Sequence, residues 1–160
     1  MDGGEVVRRL EVARREGAEL DGLLRAAVAE IEASEDRYDW VGIYLLEADV
    51  LVLHDYIGRP TDHDRIAVGT GVCGTAVAEG RDVNVADVHA IENYLACSIE
   101  TRSELVVLIR SERDGTIYGQ LDLDSDQPAA FGAEDEEQLR IVARWLAGAF
   151  DRERWDPVPD

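Results

Sequence analysis

The sequence contains no lysine: all 16 basic residues are arginine, set against 35 acidic ones, for a formal net charge of −19. A surface this negative repels phosphate, which argues against nucleic acid or an anionic membrane as partner. An acid excess without lysine is the composition expected in a high-salt cytoplasm, where screening removes the self-repulsion. No stretch approaches the ~20 apolar residues that span a bilayer, and the opening MDGGEVVRRL carries no signal-peptide apolar run, so a cytoplasmic location is expected. Cysteine is scarce, with only Cys73 and Cys97. Two thiols do not make a disulfide framework, and in a cytoplasmic chain they point to redox work or to metal binding. There is also no repeat, linker or low-complexity tract, and 160 residues suffice for one domain with its own core.

The stretch that stands out runs from Ile66 to Glu104 and holds both cysteines and the densest glycine cluster, Gly69, Gly71 and Gly74 around Cys73. Glycines there let the backbone turn tightly and approach closely. Val72 to Glu79 reads as a short helix with Cys73 in its first turn, where outward N–H groups and the dipole favour a thiolate. Cys97 falls in an aperiodic segment, Ala86 to Arg102, that reads as loop. Two thiols joined by such a loop can form a disulfide or share a metal.

Around this stretch the pattern gives an order of elements. Glu5 to Ala33 is helical, with a break near Gly17; Leu20, Leu23, Leu24, Ala27, Val28 and Ile31 form one apolar stripe. WVGIYLLE and VLVLHDYIG form a β-hairpin, whose first strand puts Trp40, Gly42, Tyr44 and Leu46 on one face and Val41, Ile43 and Leu45 on the other. A loop, Gly58 to Asp64, leads to a short strand, Arg65 to Val68, and another short strand covers Asp82 to Val85. Leu105 to Ile109 and Thr116 to Asp124 make a second hairpin through Glu112-Arg113-Asp114-Gly115. A last helix runs from Ala133 to Arg154, followed by a frayed tail. Helix, hairpin, glycine-rich crossover, hairpin and helix together predict an α+β domain, an antiparallel sheet flanked by N- and C-terminal helices.

In the second hairpin Gln120, Asp122 and Asp124 share the face opposite Leu121 and Leu123, and Glu104 begins the partner strand. Three carboxylates on one concave face bind a cation or an ammonium group, share a proton, or else are plain surface acids. Trp40 and Tyr44 either line that face or serve only as core.

WVGIYLLE, VGTGVCGTA, ADVHA with Cys97 eight residues beyond His89, RSELVV and LDLDS occur in the order found in free methionine-(R)-sulfoxide reductases, single-domain proteins of the GAF fold, and the chain resembles that family from about Asp39 to Leu146. The resemblance implies a single GAF domain over residues 1–160, with its core at about 36–150. It implies that Cys97 is the catalytic nucleophile and Cys73 a resolving cysteine. It further implies that Glu104, Asp122 and Asp124 are the active-site carboxylates, and that Trp40, Tyr44 and Ala96 bind the substrate. It implies no cofactor and no metal, a thioredoxin-like dithiol reductant as partner, and leaves room for a homodimer.

Two departures from the family are visible. Its third cysteine, in the loop before the Arg-Ile strand, is replaced here by His63, and its G-H-I-A-C-D reads Asn93-Tyr94-Leu95-Ala96-Cys97-Ser98. Recycling would then fall on Cys73 alone. Three other readings of the same residues stay open: a non-catalytic GAF module that binds a small molecule, a thiol redox sensor, and a zinc site of Cys73, Cys97 and two of His54, His63 and His89. The last lacks the short ligand spacing of zinc motifs.

Overall fold

The computed structural model describes residues 1–91 and 99–155. The N-terminal helical stretch is two helices, α1 (Gly3–Arg15) and α2 (Leu20–Ser34), with the chain turning at Gly17. Asp2 caps α1 by accepting from the Glu5 N–H at 3.0 Å, which satisfies one of the donors that a helix start leaves open. The hairpin follows as β1 (Trp40–Glu47) and β2 (Val50–Ile57), then β3 (Arg65–Ala67), α3 (Gly71–Glu79), β4 (Val83–Val85) and a single 3₁₀ turn, Val88–Ala90. The second hairpin is β5 (Ser103–Arg110) and β6 (Ile117–Ser125), and α4 (Ala133–Trp155) closes the described chain.

These strands form one antiparallel sheet in the order β3-β2-β1-β6-β5-β4. The two hairpins are zipped together by their own outer partners, β1 against β6, so the centre of the sheet pairs residues some 80 positions apart. Strict alternation then sorts the side chains. Val41, Ile43, Leu105, Val107, Ile109, Leu121 and Leu123 pack on one face against Leu24, Val28 and Ile31 of α2 and Leu139, Val142 and Leu146 of α4. The other face carries Trp40, Tyr44, Val106 and Leu108, and it is covered by the β3–α3 segment through Ile66, Val72, Cys73 and Ala76. Two apolar layers on the two faces are what an α+β sheet needs to bury both its sides.

Polar anchors lock α4 to the sheet. The Asp135 carboxylate accepts from the Tyr38 hydroxyl, the Arg37 guanidinium and the Gly132 N–H, and Asp151 accepts from the Ser111 and Tyr118 hydroxyls. Burial and the hydrogen bond to Asp135 push the Tyr38 hydroxyl well above its ordinary value, so it stays a neutral donor. Among the described residues no helix is long and apolar enough to cross a membrane.

Candidate active site

The sheet register decides where the acids meet. On β6, Asp124 lies opposite Glu104 of β5 and Trp40 of β1, and one row further Asp122 lies between Val106 and Gly42. Glu104, Asp122 and Asp124 are 3 %, 0 % and 1 % exposed, so they are not surface acids. Cys73 enters this row from above. Its thiol lies 3.3 Å from Asp122 Oδ2 and 3.7 Å from Glu104 Oε2. The helix dipole of α3 and the two carboxyl groups act on that thiol in opposite senses, the first favouring the thiolate and the second the thiol.

Burial raises the Glu104 carboxyl well above the ordinary carboxylate range, and the charges of Asp122 and Asp124 push it in the same direction. Asp122 is also raised by burial, against the opposing hydrogen bonds from Glu104 and Cys73. Like charges this close and this dry resist ionising together, which raises the affinity of the cluster for a proton. Asp122 Oδ1 and both amide atoms of the fully buried Gln120 have no hydrogen-bond partner among the described residues. Unsatisfied buried polar atoms cost roughly 1–3 kcal/mol each, and their concentration on this one face marks it as built for something other than packing.

Among the described residues lies a cavity of about 10 Å³, lined by His63, Ile66, Val72, Cys73, Glu104 and Asp122. That is room for about one water molecule. A larger cleft of about 400 Å³ lies elsewhere, between β5, the α3–β4 turn and α4, and touches none of the three acids.

Two glycines shape this site by absence of a side chain. A Cβ on Gly42 would lie 2.3 Å from the Trp40 indole, which folds back over that position. Trp40 thereby stacks on Tyr56, with ring centroids 5.4 Å apart, and lies 6.4 Å from Tyr44. Its Nε1 donates to the Arg59 carbonyl at 3.2 Å, and the Tyr44 hydroxyl donates to the His63 carbonyl at 2.7 Å, so both rings are held to the Gly58–Asp64 loop. At Gly74 a Cβ would lie 2.4 Å from the Ala67 carbonyl oxygen, where α3 starts against the end of β3. The Gly69 N–H also donates to the Gly74 carbonyl at 2.8 Å. Gly74→Ala is therefore expected to lower stability by about 1–3 kcal/mol and to speed alkylation of Cys73 as α3 is forced away from the sheet. Urea unfolding and maleimide labelling check this, and a variant as stable and as slowly labelled as the parent would refute the close approach.

Of the residues singled out from the sequence, Cys73, Glu104, Asp122 and Asp124 come together, with Trp40 and Tyr44 on the same face. Cys97 and Ala96 lie outside the described residues. The histidines of the zinc reading do not gather: His54 lies 2.8 Å from Asp21 of α2, on the opposite face of the sheet, and His89 is exposed, while His63 lines the cavity. Tyr56 was missed, for a definite reason. β2 opposes Tyr44 with Leu53 but Ile43 with Asp55, so a bulge at His54 reverses the alternation and brings Tyr56 opposite Gly42.

A model of the GAF domain family matches residues 19–150. The free methionine-R-sulfoxide reductase of Escherichia coli K12 is 42% identical over 108 residues, 68% of this chain and 64% of that protein, so this chain spans just under two thirds of its length. Among solved structures, the type II free methionine-R-sulfoxide reductase of Thermoplasma acidophilum superposes with a TM-score of 0.77 at 39% identity, covering 84% of this chain and 96% of that one. The free methionine-R-sulfoxide reductase of Neisseria meningitidis, solved with its substrate, gives a TM-score of 0.86 at 35% identity over 96% of this chain and 91% of that one. The chain belongs to the GAF-domain family, within its group of free methionine-R-sulfoxide reductases.

Proposed function

We propose that this protein reduces free methionine-(R)-sulfoxide to methionine at the acid-lined face, with Cys97 as nucleophile and Cys73 as the resolving thiol. The observation that carries the reading is the buried thiol of Cys73 set 3.3 Å from Asp122 beside the buried Glu104 carboxyl, whose affinity for a proton is raised by burial. The Cys97 thiolate attacks the sulfoxide sulfur while a carboxyl of the cluster delivers a proton to its oxygen. The oxygen passes from the substrate sulfur to the Cys97 sulfur as the S–O bond and the S–S bond of the adduct break, giving methionine and a sulfenic acid on Cys97. The sulfoxide is thereby reduced by two electrons and Cys97 oxidised by two. The Cys73 thiol condenses with the sulfenic acid to give a disulfide and water, and an external dithiol of the thioredoxin type restores both thiols. An ionised acid of the cluster pairs with the substrate ammonium, and Trp40 and Tyr44 exclude water around the S-methyl group.

With dithiothreitol as reductant and in high salt, the protein is expected to consume the R epimer of free L-methionine sulfoxide and to leave the S epimer untouched. Chiral separation of the remaining sulfoxide measures both. No turnover from folded protein with reduced thiols would overturn the reading and leave a ligand-binding or redox-sensing GAF domain.

A further inference from the structure

We propose that Cys73, Glu104 and Asp122 form a binding site for one thiophilic divalent cation, Zn²⁺, which the protein takes up in place of two protons. One ligand atom of each residue lies within 4.8 Å of the others, and all three residues are buried. The spacing is the argument. With Zn–S of about 2.3 Å and Zn–O of about 2.0–2.2 Å at a tetrahedral angle, a sulfur and an oxygen on one ion are about 3.5 Å apart. Cys73 Sγ lies 3.3 Å from the Asp122 oxygen and 3.7 Å from the Glu104 oxygen, on either side of that value. The ion therefore needs only small adjustments of side chains already in place.

A second observation, an unpartnered oxygen on one of these side chains, points to a ligand at the same place. Asp122 is fully buried, yet its Oδ1 has no partner among the described residues, and the residue lines the cavity. A buried carboxylate bound to Cys73 through Oδ2 with its Oδ1 left open is a group that a cation seated against it would stabilise. The cavity, about 10 Å³, takes one body of about water size, which is the ion held by three protein donors. It has no room for the several waters that Mg²⁺ keeps, and a thiolate donor disfavours Mg²⁺ and Ca²⁺.

The charge balances. Binding releases the thiol proton and one carboxyl proton, and Zn²⁺ brings two charges for the two lost, so the buried site gains no net charge. No electron moves. The consequence for turnover rests on the reductase reading above, although the binding does not. A metal held by Cys73, Glu104 and Asp122 occupies the resolving thiol and two of the acids, so the zinc form is inactive until a chelator removes the ion.

The test uses the full chain, reduced and freed of metal, with Co²⁺ as a spectroscopic probe. The expected result is a sulfur-to-cobalt charge-transfer band that saturates at one Co²⁺ per chain and is displaced by Zn²⁺. The band should survive in Cys97→Ser and vanish in Cys73→Ser. Asp122→Asn, which keeps the shape of the buried side chain, should weaken Co²⁺ binding by about tenfold or more, with urea unfolding to confirm that each variant is folded. A folded, reduced protein with no such band overturns the proposal, and so does a band that survives in Cys73→Ser. A protein that shows the band but reduces no sulfoxide keeps this site and loses the reductase. One that reduces sulfoxide without the band loses this site alone.

Discussion

Cys97→Ser is expected to lower kcat/KM for methionine-(R)-sulfoxide by at least about 10⁴-fold, the scale seen when a covalent nucleophile is removed. A serine hydroxyl is not ionised near neutral pH and is a far weaker nucleophile toward sulfur than a thiolate. Cys73→Ser should behave differently. The first half of the reaction needs no second thiol, so that variant should release one methionine per chain and stop with Cys97 as a sulfenic acid, trapped by dimedone and seen by mass spectrometry. Excess small thiol would restart it by reducing the sulfenic acid directly. Full activity in Cys97→Ser would overturn the assignment and move the nucleophile to Cys73, the other cysteine of the chain.

Glu104→Gln should separate activity from stability. An amide of the same shape fills the same buried position but delivers no proton, and loss of a general acid costs about 10²–10⁴-fold in rate. Stability should move the other way. In the parent, burial and the neighbouring Asp122 and Asp124 charges raise the Glu104 carboxyl, so the folded chain holds a proton that the unfolded chain, with an ordinary value of about 4.3, releases. Stability is then fully present below about pH 4.3 and declines above it, by up to about 1.4 kcal/mol per pH unit. The decline continues until pH passes the raised folded value. Glutamine does not titrate, so that part of the decline should vanish and the variant should equal or exceed the parent near pH 7. Urea unfolding at pH 5 and pH 7, with kcat/KM measured on the same samples, checks both halves. A variant that is both less stable at pH 7 and no less active would refute the role given to this carboxyl. Functional sites commonly hold such a destabilised group, because the proton they need at neutral pH is one that water would strip from an exposed acid.

Much of this site was legible before any fold was known. Alternation along Ile117–Ser125 put Gln120, Asp122 and Asp124 on one face, and the same rule put Trp40 and Tyr44 together on β1. The helix holding Cys73 followed from the glycine-rich stretch, and the structure begins it one residue earlier, at Gly71. Tyr56 was hidden, because a bulge shifts the register by one residue and the hydropathy of β2 carries no mark of it. The strand pattern places Gly42 on the face of Trp40 and Tyr44, and only the path of the Trp40 ring shows why a side chain is excluded there.

The amino-acid sequence by itself determined the order of elements, the faces of the central strands, the acidity of the surface and the residue types available for thiol chemistry. These depend on local periodicity and composition, which are written along the chain. Tertiary structure alone decided that Glu104 of β5 and Asp122 and Asp124 of β6 meet in a dry layer under α3, that Cys73 reaches them, and that His54 and His89 do not. The physical reason is that the same carboxyl is a harmless solvated charge or a proton-holding acid according to how much water its neighbours remove, and those neighbours come from segments far apart in the chain.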